Sequence, residues 1–294
     1  MKVIRTVVAF VAVVVAGYVI LESLERYGKR SASERELQAA PAEAAGEGQE
    51  APAPPDYAAK LETYTGHGEW VRYTAVDGTE ITGYIAFPER PDPAPAMIVI
   101  HEIFGMSDFV RSVTHELAEA GYVALAPDLL SRVGGTEGAD DARAAIRDLD
   151  PGKITADLDA TKAHLRSLDS VEGESIGVIG FCWGGAQTFR YATNAADIDA
   201  AVVCYGGAPD AAEMARITAP VLGVYAENDA RINASLPEVE AAMDAAGREF
   251  TYEIYEGANH GFIRSRNVPD EADRAWADIL SFLERELGDG SGGN

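Results

Sequence analysis

Cys182 stands between two glycines at equal spacing, Gly180 and Gly184, directly after the apolar run 176–181. That is the spacing of a sharp strand-to-helix turn that presents a nucleophile, with Cys where Ser is usual. The turn needs small neighbours. It pushes the nucleophile's backbone towards positive φ, where side chains two residues away would collide. Such a turn lifts the sulfur above a sheet edge at the start of the next helix, where the helix dipole and free N–H groups favour a thiolate. A sulfur nucleophile needs a base, and the base needs an orienting group. His260, in Gly-Ala-Asn-His-Gly-Phe, is the one histidine after Cys182. Asp229, in Val-Tyr-Ala-Glu-Asn-Asp, is the candidate acid, with Glu227 as its rival. Each comes just after a stretch that reads as a strand. The chemistry to expect is acyl transfer to sulfur; the plainer reading is a structural Cys before a Gly-rich turn.

The elements that must position these residues alternate between buried strands and helices. Residues 71–76 and 79–87 flank Asp77-Gly78 as a hairpin. Residues 95–101 form an unbroken apolar run, as expected of a strand covered on both faces. A helix over 109–120 stops at Gly121. Further strands are expected at 122–126, 176–181, 200–205, 221–226 and 250–255. Helices are expected at 140–149 (a short piece in a Gly- and Asp-rich stretch), 154–168, after Cys182 to 193, at 237–246 and at 270–287. The pattern predicts an α/β fold, a mostly parallel central sheet flanked by helices on both faces. In such sheets function gathers at the carboxyl ends of the strands.

Composition narrows the class of partner. Of the 294 residues 47 % are hydrophobic, enough for a large core. The net charge is −24, and residues 57–294 carry 18 basic against 40 acidic side chains, a body that would repel nucleic acid. Two cysteines make no metal framework, and the five histidines show no paired-ligand spacing. No metal and no cofactor are expected. Cys182 must be free to act, so a disulfide to Cys204 is not expected; Cys204 reads as a small core residue. At the N-terminus, residues 3–21 form a run of 19 residues whose one charge is Arg5, long enough for a membrane-spanning helix of roughly 17–25 residues. Residues 1–30 are read as an uncleaved signal anchor, with a cleaved signal peptide as the alternative, so the protein would be membrane-anchored or exported. Basic residues on both flanks leave its orientation open. Residues 31–56, rich in Ala, Glu, Gly and Pro, read as a disordered linker. The folded domain is expected over 57–288, with a flexible tail at 289–294.

The motifs His101-Glu102-Ile103-Phe104-Gly105, Ala126-Pro127-Asp128-Leu129-Leu130-Ser131-Arg132, Gly180-Phe181-Cys182-Trp183-Gly184-Gly185 and His260-Gly261-Phe262-Ile263-Arg264 resemble those of the dienelactone hydrolase family of α/β-hydrolases. The resemblance covers roughly residues 57–288, and the Phe-Cys-Trp turn is its most specific part. It implies an α/β-hydrolase fold, a catalytic triad of Cys182, Asp229 and His260, and a role for Glu102 in holding the resting thiol. A carboxylate beside a thiol disfavours early ionisation, so the nucleophile would be shielded until needed. The oxyanion hole would be the backbone N–H groups of Ile103 and Trp183. Arg132 and Arg264 match positions that bind the substrate's carboxylate, a task suited to guanidinium. The stretches Leu129-Leu130-Ser131 and Val133-Gly134-Gly135 depart from the family pocket.

The resulting expectation is a hydrolase of small, anionic carboxylic esters or lactones that works through an acyl-enzyme. A monomer is expected, with the membrane as a partner through residues 3–21. The rival reading is a non-catalytic, membrane-tethered binding module on the same scaffold. A thiol redox protein is disfavoured because no resolving Cys lies near Cys182 in sequence.

Overall fold

The computed structural model describes residues 54–288. The expected anchor at 3–21, the linker up to residue 53 and the tail at 289–294 lie outside the described residues. No described helix is long and apolar enough to cross a membrane.

In chain order the elements are α1 (Tyr57–Thr63), β1 (Gly68–Thr74), β2 (Glu80–Ala86), β3 (Ala94–Ile100), α2 (Asp108–Glu119), β4 (Val123–Pro127), α3 (Ala142–Arg147), α4 (Pro151–Arg166), β5 (Val171–Phe181), α5 (Trp183–Ala192) and β6 (Ala200–Cys204). Then come α6 (Ala211–Met214), β7 (Val221–Asn228), α7 (Ala230–Asn233), α8 (Leu236–Ala245), β8 (Phe250–Asn259), α9 (Phe262–Ser265) and α10 (Pro269–Leu287). A single turn of 3₁₀ helix, Ser131–Val133, comes after β4. The helix starts obey local chemistry. Asp56, Ser107, Asp141 and Asp150 cap α1, α2, α3 and α4 with their side chains, and Pro stands in the first turn of α4, α8 and α10.

Eight strands form one sheet in the order β1-β2-β4-β3-β5-β6-β7-β8. β2 pairs antiparallel with both β1 and β4, and the other pairings are parallel. The central strands are apolar throughout because both of their faces are covered. Ala96, Ile98 and Ile100 of β3 and Ile176 and Val178 of β5 join α4, α5 and α8 in one core. Met97, Val99, Ile179 and Phe181 point the other way, into a second core with α2 and α10. The expected mostly parallel, doubly covered sheet is therefore the observed one. Register then aligns the strand ends: Ile100 pairs with Gly180, Phe181 with Cys204, and Asn228 with Asn259. Glu102, Cys182, Tyr205, Asp229 and His260 all lie within two residues past these ends.

Candidate active site

The turn after β5 is built as its spacing requires. Cys182 has φ 56° and ψ −116°, a strained conformation for a residue with a Cβ. Backbone bonds hold it there: its N–H donates to the Cys204 carbonyl at 3.0 Å, and its own carbonyl accepts from Ala186 N–H at 3.1 Å. A Cβ on Gly184 would strike the carbonyl oxygens of Ile100 and His101, and one on Gly180 would strike the Gly184 carbonyl. The glycines therefore let α5 close directly onto β3 and β5. Both cysteines are free thiols. Cys204 is fully buried, and burial pushes its thiol pKa well above the usual value.

The sulfur of Cys182 lies 3.1 Å from His260 Nε2, and His260 Nδ1 lies 2.5 Å from Asp229 Oδ2. Asp229 and His260 each come directly after the Asn228–Asn259 pair at the ends of β7 and β8, so adjacent parallel strands set the two side by side. Asp229 is buried. Its rival Glu227 is turned away and accepts the Gly257 N–H at 2.8 Å. Burial pulls the His260 pKa down, but its hydrogen bonds and charge interactions with Asp229 and Cys182 outweigh burial, and it is pushed up to about 10.

That shift has a sign. The unfolded imidazole titrates near 6.5, so between about 6.5 and 10 the native state holds a proton that the unfolded chain has released. The stabilisation is complete below about pH 6.5 and is lost as pH rises through about 10. The thermal midpoint of the wild type is expected to fall over this window by more than that of His260→Gln. Parallel curves from pH 6 to 10.5 would refute it.

The loop after β3 faces the sulfur turn. His101 is fully buried, and burial pulls its pKa down, so the ring is neutral. Leu129 N–H donates to its Nε2 at 3.2 Å, which leaves Nδ1 as the protonated nitrogen, donating to the Glu102 carbonyl at 2.8 Å. Its ring stacks on Trp183 at 5.4 Å. One neutral histidine thus ties together the ends of β3, β4 and β5. A second tie runs from Asp128, which accepts from the Thr136 N–H and hydroxyl, while the Thr136 hydroxyl oxygen accepts the Met106 N–H. The two backbone N–H groups named for the oxyanion hole, of Ile103 and Trp183, have no acceptor among the described residues.

Glu102 and the two arginines depart from the expected arrangement. Glu102 is buried and faces Arg264, Nε to Oε2 at 2.8 Å, an ion-pair distance without hydrogen-bond alignment. Burial pushes its carboxyl pKa up, against the pull of Arg264 and His260. The expected resting contact between Glu102 and the thiol is not the one adopted: the sulfur bonds to His260, and Arg264 compensates the buried carboxylate. Arg264 therefore belongs to the site. Arg132 does not stand there as a free clamp. Its guanidinium donates to Asp157 and Asp77 and to the Thr79 hydroxyl, tying the 3₁₀ turn to α4 and the β1–β2 hairpin.

Tyr205 is a site residue that the sequence did not flag. It has φ 40°, is fully buried, and its hydroxyl has no hydrogen-bond partner among the described residues. Its ring meets His260 edge-on at 5.1 Å and also touches Phe181 and Phe262. This packing restricts the tilt of the imidazole, which Asp229 holds by hydrogen bond.

A thiol, an imidazole within reach of it, a buried carboxyl group behind the imidazole and two backbone amides without an acceptor among the described residues stand together at one edge of the sheet. The sequence matches the dienelactone hydrolase family over residues 81–287. The chain belongs to the dienelactone hydrolase family. It is 31 % identical over 249 residues to a "Putative carboxymethylenebutenolidase" of Saccharolobus solfataricus, covering 71 % of this chain and 95 % of the relative. A Synechocystis protein of the same name is 32 % identical over 230 residues, covering 71 % and 93 %. Among solved structures, a "Putative Dienelactone Hydrolase" from Klebsiella pneumoniae superposes with a TM-score of 0.67 at 26 % identity, covering 74 % of this chain and 99 % of that one. The acylaminoacyl peptidase of Pyrococcus horikoshii, at 18 % identity and a TM-score of 0.64, covers 81 % of this chain and 44 % of its own and shares the fold alone. This dienelactone hydrolase-family protein has the α/β-hydrolase fold and is a hydrolase of the ester or lactone kind.

Proposed function

We propose that the enzyme hydrolyses small carboxylic esters or lactones, anionic ones by preference, by acyl transfer to Cys182 with His260 as base and Asp229 as its anchor. The observation that carries this reading is the unbroken line from Cys182 Sγ to His260 and on to Asp229, at 3.1 and 2.5 Å. With the proton of the Cys182–His260 pair held on His260, the sulfur attacks the carbonyl carbon. The carbonyl π pair moves onto oxygen, which the Ile103 and Trp183 N–H groups then bind; each such donor is worth about 10²–10³-fold in rate. The C–O bond breaks, the leaving alkoxide takes the proton from His260, and a thioester remains. Water, giving its proton to His260, attacks the thioester, and collapse returns the acid and Cys182. Asp229 holds the ring in the tautomer these steps need. Arg264, the guanidinium at the site, supports the preference for an anionic substrate.

The test is to trap the intermediate. During turnover of an activated ester such as a p-nitrophenyl ester, an acid quench is expected to leave the acyl mass on the peptide holding Cys182. His260→Ala should leave that peptide unlabelled in the same time. An acyl group on any other residue would overturn the reading.

A further inference from the structure

A cleft of about 360 Å³ is lined by Pro54, Pro55 and Tyr57 of the N-terminal segment and by Phe104, Phe109 and Arg264 of the body. Such a volume suits a small-molecule subsite. Phe104 follows Ile103, and Arg264 Nε lies 2.8 Å from Glu102, so the cleft borders the proposed site. A line of rings makes a second connection. Tyr57 meets Phe109 edge-on at 5.2 Å, and Phe109 meets Phe181, the residue before Cys182, edge-on at 5.2 Å. The N-terminal wall is fixed in place. The Tyr57 hydroxyl donates to the Arg264 carbonyl at 2.7 Å, Lys60 Nζ to Glu116 at 2.5 Å, and the Tyr64 hydroxyl to the Ser112 carbonyl at 3.3 Å. Burial pushes the Tyr57 phenol pKa up, so its hydroxyl keeps the proton it donates. Other polar side chains at the cleft are already engaged: Asp56 caps α1, Ser107 caps α2, and Asp108 pairs with Arg111. What the prolines and rings offer an occupant is carbon surface. This wall stands before residue 81, where the family match begins, so it lies outside the part of the chain that the family defines.

We propose that this cleft is the subsite for an apolar group of the substrate, an aryl ring or an alkyl chain of several carbons, and that Tyr57 is the residue that selects for it. The assignment rests on the hydrolytic reading and adds to it the part of the ester that the enzyme prefers. An apolar group held away from the reacting carbonyl binds alike before and during the chemical step, so its gain should fall in KM.

The experiment measures kcat/KM of the full chain for two pairs of esters, p-nitrophenyl acetate against p-nitrophenyl hexanoate and ethyl acetate against benzyl acetate, together with 1-naphthol binding by calorimetry. The first pair varies the acyl end and the second the alcohol end. In at least one pair the wild type is expected to favour the larger group, and Tyr57→Ala to reduce that preference about tenfold, through KM. Tyr57→Trp, which fills the cleft, should reduce it as well. Tyr57→Phe, which keeps the ring, should retain most of it, and naphthol affinity should follow the same order. No preference in either pair, or a preference that survives both Tyr57→Ala and Tyr57→Trp, would overturn the assignment. If the wild type cleaves none of these esters yet binds 1-naphthol in a Tyr57-dependent way, the cleft stands and the hydrolytic reading fails.

Discussion

Cys182→Ala lowers ester turnover by about 10⁴-fold or more, because residues that act as a unit in covalent catalysis lose nearly everything when the nucleophile goes. What remains is the contribution of binding and of the two amides proposed for the oxyanion, which would polarise a carbonyl that nothing then attacks. The fold should be unaffected. Alanine keeps the Cβ that the positive φ of 56° already tolerates, and both backbone bonds, to Cys204 and Ala186, involve main-chain atoms only. The loss should therefore appear in initial rates, with a melting transition that stays close to that of the wild type. Retained turnover in a folded Cys182→Ala enzyme would remove the sulfur from the mechanism. A collapsed melt would instead mean that the thiol is a packing group. His260 should respond as well. Its raised pKa depends in part on the sulfur, through both a hydrogen bond and charge. In Cys182→Ala that support is gone and the imidazole titrates lower. An NMR titration of the His260 ring would show this shift even though the variant has no activity to measure.

How much of this site was readable in the sequence depends on the range of the interactions concerned. The sulfur turn was legible because its constraint is local: a positive φ and two near approaches fix glycines at two residues on either side. Asp229 and His260 were legible because parallel strands bring the residues just past their carboxyl ends to one edge of the sheet, whatever the loops do. Strand limits were read less well where apolarity stops marking them. β5 begins at Val171, five residues before the expected start, across the polar stretch Glu-Gly-Glu-Ser. β8, the edge strand, runs on to Asn259, four residues past the expected end, through Glu256 and Gly257, which are exposed and carry no apolar signal. The short helices α1, α6, α7 and α9 are too brief to show a period. The site's supporting residues were hidden for a different reason. His101 became a lock only once the β4 end reached its ring, 28 residues away. Tyr205 looked like the last residue of an apolar run, yet its backbone turns at 40° and carries the ring to His260. Arg132 showed the limit of motif transfer. The residue type and position match the family, but the partners that claim it, Asp157 and Asp77, lie 25 and 55 residues away.

Arg132 should therefore behave in the opposite way to the one its family motif suggests. Arg132→Ala should cost stability, about 2–4 kcal/mol, and leave KM for anionic esters where it is. The Asp157 side chain is 1 % exposed and that of Arg132 14 %. Burial pushes the Asp157 carboxyl up, and Arg132, by hydrogen bond and charge, draws it back down. Removing one partner of a buried pair typically costs about 3–5 kcal/mol, because the other charge is left uncompensated. The lower figure here allows for the water that still reaches Arg132 and for Asp77, the exposed partner, which loses little. For a domain of this size the midpoint should drop by roughly 5–15 °C. The cause can be isolated with Asp157→Asn. If the cost is the stranded carboxylate, the double variant Arg132→Ala/Asp157→Asn is more stable than Arg132→Ala alone, an interaction that two independent sites would not show. Arg132→Ala with an unchanged melt and a raised KM for the anionic ester would return this arginine to the substrate. The geometry argues otherwise: a guanidinium bonded to two carboxylates and a hydroxyl has no aligned pair of donors left to offer.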